Sequence, residues 1–115
     1  MQTRYLQLGR GRGLVVRPLP NGDVETVAAV FDRLGERSRR ARFNGPKPRL
    51  SPAELDHLAT VDATRHVLVG YLDGDEHPVA LARLVREGSS AEIAFEVADE
   101  HHRVGIGSAL TAELL

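Results

Sequence analysis

The stretch Ala91-Glu-Ile-Ala-Phe-Glu-Val-Ala-Asp-Glu-His-His-Arg-Val-Gly-Ile-Gly-Ser-Ala-Leu110 decides how this chain reads. Its first part alternates. Ala91, Ile93, Phe95 and Val97 fall on one side of an extended chain, and Glu92, Ala94 and Glu96 on the other, as in a strand. A short polar link follows. Arg103-Val-Gly-Ile-Gly-Ser108 then opens into Ala109-Leu-Thr-Ala-Glu-Leu-Leu115, a run of good helix formers. Strand, small-residue turn and helix start follow in that order. The first N–H groups of a helix have no intrahelical partner, and glycines let a ligand come close, so the turn reads as an anion site for a phosphate or pyrophosphate. The adjoining strand carries two carboxylates.

Upstream of this stretch the periodicity changes twice. Leu14-Val-Val-Arg-Pro-Leu19 predicts a first strand, stopped by Pro18 and Pro20. Asp23 is placed to cap a helix in which Val24, Val27, Phe31 and Leu34 share a face, with Gly35 at its end. Glu36-Arg-Ser-Arg-Arg-Ala-Arg-Phe43 is strongly basic and reads as a solvated helical turn or as a wall facing an acidic partner. Asn44-Gly-Pro-Lys-Pro48 is a loop. Ser51, Pro52 and Glu54 mark a helix start with a capping box, and Leu55 and Leu58 face inward. His57 on that helix reads as surface polar, with no second histidine at metal spacing near it.

His66–Leu72 and Val79–Val85 then predict two strands joined by the hairpin turn Asp73-Gly-Asp-Glu76, and Ala91–Val97 follows as the next. Consecutive strands with short turns form an antiparallel meander, with helices before and after it. The fold class is α+β, a mostly antiparallel sheet flanked by helices. Residues 1–13 read as a loose lead-in, and 14–115 as the folded domain. Gly9-Arg-Gly-Arg-Gly13 precedes a strand, whereas a dinucleotide-binding turn follows one.

Composition narrows the function classes. A chain of 115 residues holds one domain, and with 4% aromatic residues its core is aliphatic. A formal net charge of −1 argues for neither nucleic acid nor membrane as partner, and the scarcity of aromatics leaves the basic stretch without stacking platforms. With no cysteine there is no thiolate metal site and no cysteine nucleophile, and no metal is expected. No apolar run approaches the ~20 residues of a membrane span, and the first residues lack the apolar stretch of a signal peptide, so a cytoplasmic location is expected.

The order of one strand, two helices, a meander and then Arg103-Val-Gly-Ile-Gly107 at a helix start resembles the GNAT N-acetyltransferases over roughly Leu14 to Leu115. The family signature at that helix start is Gln/Arg-x-x-Gly-x-Gly/Ala. Gly105 and Gly107 match it, while His102 stands where Gln or Arg is usual, with Arg103 beside it. The resemblance implies that His102, Arg103, Val104, Gly105, Ile106, Gly107 and Ser108 hold the pyrophosphate of acetyl-CoA, and that pantetheine lies along the Phe95–Val97 backbone. Gly105 and Gly107 are read as keeping Cβ atoms out of that approach. The acyl group would pass to a primary amine by direct attack, with a carboxylate taking the proton. Glu92 and Glu96 are the candidate bases. Glu92 is favoured, because Ala-Glu-Ile-Ala-Phe resembles the segment that places the catalytic glutamate in protein-acetylating members, and because burial would tune it upward.

The basic stretch and the Leu-Ser-Pro-Ala-Glu-Leu helix also resemble the acceptor side of bacterial Pat-type protein-lysine acetyltransferases. The partners implied are acetyl-CoA and an amine acceptor, either a small molecule or a protein lysine. The alternative is a non-catalytic acyl-CoA-binding or regulatory module of the same fold. Family members continue past the glycine helix, so the domain reads as incomplete at its C-terminal end. An unpaired edge on the last strand then leaves a homodimer open as a further partner.

Overall fold

The computed structural model describes residues 3–8, 12–43, 49–98 and 105–114, without the side chains of 36–38 and 41. Its elements are β1 (Arg4–Gln7), β2 (Gly13–Pro18), α1 (Val24–Asp32), α2 (Glu36–Phe43), α3 (Pro52–Leu58), β3 (Arg65–Leu72), β4 (Ala80–Glu87), β5 (Ser90–Val97) and α4 (Ile106–Leu114). The strands form one sheet in the order β1-β2-β3-β4-β5, antiparallel throughout. The expected α+β class, the meander and the order of the helices are all present.

The lead-in differs from expectation. Residues 4–7 are a strand, β1, paired in register with β2 from Arg4↔Val16 to Gln7↔Gly13. The pairing has an apolar cause. Leu8 is buried in the cluster that also holds Leu14 and Val16, and Leu6 packs against that cluster. Leu8 N–H donates to Arg12 O at 2.7 Å, and Arg4 meets Glu113 of α4 at 3.2 Å. The alternation in Tyr5-Leu-Gln-Leu8 is too short to stand out beside the glycines that follow.

The sheet has two covered faces, and strand alternation sends residues to one or the other. On one, Leu14, Val16, Leu68, Leu72, Ala82 and Val97 pack with Ile106 and Leu110 of α4. On the other, Val67, Val69 and Leu81 pack with Val27 and Val30 of α1 and Leu58 of α3. Each of the Leu, Val and Ile side chains contributes about 1.5–3 kcal/mol on leaving water.

The helix starts are those expected. The Asp23 side chain accepts from Thr26 N–H at 3.2 Å. Ser51 and Glu54 exchange both bonds of a capping box, with Pro52 at the first helical position. The close of α1 is less regular. The helix ends at Asp32, and Arg39 of α2 covers the end, donating to Phe31 O at 3.1 Å and Leu34 O at 3.0 Å with its guanidinium 4.1 Å from the Phe31 ring centroid. Arg39 therefore serves the end of α1, where a cation is favourable. It does not extend an outward basic wall.

Two predictions follow from these contacts. Ser51→Ala should lower stability by about 1 kcal/mol in chemical denaturation, the usual value of such a cap. The second concerns acid. Asp75 is held below the ordinary carboxylate range, first by the His77 N–H and then by Arg33 at 3.0 Å. A carboxyl more acidic when folded adds stability above its unfolded value that is lost as pH falls through the folded one, which places the loss below about pH 4. Asp75→Asn should lose less melting temperature than the parent chain between pH 5 and pH 2.

Candidate active site

Chemistry-bearing residues gather on both sides of β5. On the α4 side the glycine turn stands at the start of the nine-residue helix α4. Ile106, Gly107 and Ser108 are its first residues, so their N–H groups have no intrahelical acceptor. Gly105 has φ +88°, a backbone conformation that disfavours a side chain, although among the described residues no atom beyond its chain neighbours lies within 4 Å of where its Cβ would stand. The backbone conformation alone favours glycine here, without crowding from the described residues. Gly107 is the crowded position, since an added Cβ would meet the Phe95 ring at 3.2 Å. Phe95 is 51% exposed and lies against this turn, and Val97 is buried beside it. The Ile106 side chain is in the core, so only its backbone faces the turn. Ser108 is exposed. His102, Arg103 and Val104 lie outside the described residues.

On the other side of β5, α2, α3 and the sheet enclose a cavity of about 580 Å³. Glu92 and Ala94 of β5 line it, with Arg83 and Val85 of β4, Arg65 of β3 and His57 of α3 among the other walls. The register explains the grouping. Arg83 lies opposite Ala94 and Val85 opposite Glu92, so their side chains rise from one face. Glu92 is exposed and makes no hydrogen bond or ion pair among the described residues. Glu96 has the opposite character. It is only 5% exposed, and its Oε1 accepts from Arg83 Nη2 at 3.0 Å and from Arg42 Nε at 3.1 Å. Arg83 also donates to Leu58 O at 2.8 Å. Burial pulls the Arg83 guanidinium below the usual arginine value, and Glu96 opposes that shift. Glu96 Oε2 and Arg83 Nε are buried without a partner among the described residues.

The expectation that burial singles out Glu92 is therefore reversed, because two guanidiniums cover Glu96 and, among the described residues, none covers Glu92. Sequence reading placed Arg42 in a stretch read either as solvated or as a wall on the acceptor side, missed Arg65 and Arg83 as cavity residues, and set His57 aside as surface polar. One signal was present in the sequence. Arg83 interrupts the apolar run Val79–Val85, and a charge inside a buried strand needs a partner. Among the described residues no group of His, Asp and Glu has the arrangement of a metal site.

No protein-family model matches the sequence. Whole relatives do. The chain is 30% identical over 113 residues to "Acetyltransferase PA5475" of Pseudomonas aeruginosa, covering 94% of this chain and 61% of that protein. It is 36% identical over 115 residues to "Acetyltransferase Pat" of Mycolicibacterium smegmatis, covering 96% of this chain and 34% of that protein. The chain thus spans about three-fifths and one-third of these curated relatives. Among solved structures it superposes on the GNAT domain of S. lividans PAT with a TM-score of 0.85 at 28% identity, over 97% of this chain and 69% of that one.

The Arg42–Glu96–Arg83 cluster supplies the test of this geometry. Glu96→Ala leaves two guanidiniums facing each other without their anion and should cost about 3 kcal/mol or more in denaturant unfolding. Replacing the inner pair together, Arg83→Met with Glu96→Leu, should recover most of that loss.

Proposed function

The chain is a GNAT protein of the Pat-like kind, and on that premise we propose that it transfers an acyl group from acetyl-CoA to a primary amine held in the cavity beside Glu92. The observation that carries this reading is the arrangement around β5. Its outer edge is not paired with another strand among the described residues. One side of it meets the glycine turn, and the other meets the cavity. Pantetheine can pair with that free edge as an added strand, its pyrophosphate on the N–H groups at the start of α4. The thioester then comes to the strand whose side chains enter the cavity.

In the reaction the amine nitrogen attacks the thioester carbon, the C–S bond breaks, and CoA leaves as its thiolate. The amine must shed a proton, which Glu92 takes directly or through one water. Glu92 suits this work because its carboxylate is free and reachable. Glu96 does not, because both arginines already use it. Backbone N–H groups of the strand are available to the oxygen on which charge develops. The acceptor favoured here is a lysine side chain, following the resemblance of the basic stretch and the α3 helix to Pat-type protein-lysine acetyltransferases. For the compartment, no described helix is long and apolar enough to cross a membrane, and a cytoplasmic site of action is part of this proposal.

Calorimetric titration with acetyl-CoA tests the cofactor half. Ser108→Asp adds a carboxylate at the third position of α4, which suits the helix but repels a pyrophosphate. Affinity for acetyl-CoA should fall at least tenfold while the melting temperature holds. Equal affinity in the two proteins would refute the site. For the chemistry, Glu92→Gln should keep acetyl-CoA binding and lower the acyl-transfer rate by about 10²-fold or more. Binding without turnover in the parent chain would instead support a non-catalytic acyl-CoA module.

A further inference from the structure

The β3 and β5 sides of the cavity carry opposite charges, Arg65 on one and Glu92 on the other, while Glu54 of α3 and Glu87 of β4 add carboxylates to its wall. This inference rests on the reading of that cavity as the acceptor side. β3, β4 and β5 pair Arg65 with Val85 and Val85 with Glu92, so the three residues form one rank across the sheet. With neighbouring strands ~4.8 Å apart, the Cα atoms of Arg65 and Glu92 are separated by about 10 Å. Both side chains line the cavity, with Val85 between them.

At the Arg65 end, Nη1 lies 3.0 Å from His57 Nδ1. A guanidinium only donates, so Nδ1 accepts and the ring proton sits on Nε2. Imidazole and guanidinium together present outward donors. No acceptor among the described residues takes the remaining Arg65 guanidinium N–H groups. Deeper in, Arg42 and Arg83 share the carboxylate of Glu96, which among the described residues leaves one positive charge over. At the β5 side the cavity is lined by Glu92, with Glu87 on the middle strand β4, and neither carboxylate has a partner among the described residues.

We propose that the acceptor is a peptide lysine with an acidic residue beside it, its amine directed to Glu92 and the neighbouring carboxylate held by Arg65 and His57. An amine alone leaves the cationic end unused. A polyamine would set a second positive charge against Arg65 and Arg42. The amine and carboxylate of an α-amino acid share one carbon and cannot span the two ends. A lysine side chain and the carboxylate of its neighbour can. The acidic neighbour therefore acts as a specificity determinant, read chiefly by Arg65.

The test compares two fluorescent peptides, each with one lysine, flanked by Glu in one and by Gln in the other. Binding is followed by anisotropy at low salt with CoA present, so that no turnover intervenes. The Glu peptide should bind about tenfold more tightly, the usual worth of a hydrogen bond to a charged group. Arg65→Gln should reduce that preference to within twofold, and Arg65→Lys should restore part of it. Glu92→Gln should leave the preference in place. Equal binding of the two peptides, absence of saturable binding by either, or a preference that survives Arg65→Gln would overturn the proposal. Failure of the acyl-transfer reading would appear elsewhere, as missing acetyl-CoA affinity or a full rate in Glu92→Gln.

Discussion

The contact on which most of this structure depends is the one between Glu96 and the guanidiniums of Arg83 and Arg42. It joins β5 to β4 and ties α2 to the sheet. Arg83 extends the link to the last turn of α3 through Leu58 O. A buried ion pair of this kind is seldom a large net stabiliser, since leaving water costs each ion several kcal/mol. Its effect is on geometry. It draws α2 and α3 to one end of the sheet face, and the space left beside them is the cavity.

Because Glu96 is committed to that contact, the two carboxylates of β5 take different parts. They stand four residues apart on one side of the same strand, yet one is covered by arginines and the other is exposed. The divergence comes from what lies above each position. Arg42 reaches Glu96 from 54 residues away in the chain. Glu92 stands further along the strand and faces the cavity, with no ion pair among the described residues. One strand thus carries a structural anion and a candidate base. It also meets the glycine turn through Phe95, so the proposed cofactor site and acceptor site are separated by little more than the thickness of the sheet.

Much of the fold was legible because its signals are local. Ser51, Pro52 and Glu54 announce a helix start within four residues, and Asp23 does the same for α1. The alternation in Ala91–Val97 and the hairpin turn at Asp73–Glu76 fix a meander. β1 was illegible, since four residues of alternation carry little information until Leu6 and Leu8 find the apolar cluster they complete. The basic stretch of α2, read either as solvated or as a wall facing an acidic partner, was only half legible for a related reason. A run of arginines reads as solvated, but Arg39 and Arg42 each turn to a partner supplied by another element.

By itself the sequence determined the order of elements, the helix caps, the glycine turn at the start of α4 and the side of β5 on which Glu92 and Glu96 lie. These depend on φ preference, side-chain period and the chemistry of near neighbours, all of which act over a few residues. Only the tertiary structure decided which of those glutamates is free, why the backbone favours glycine at Gly105, and that Arg65, Arg83 and His57 meet around one cavity. Alternation tells which way a side chain points. What waits there is set by the packing of elements far apart in the chain, where an unpaired buried charge must find its partner.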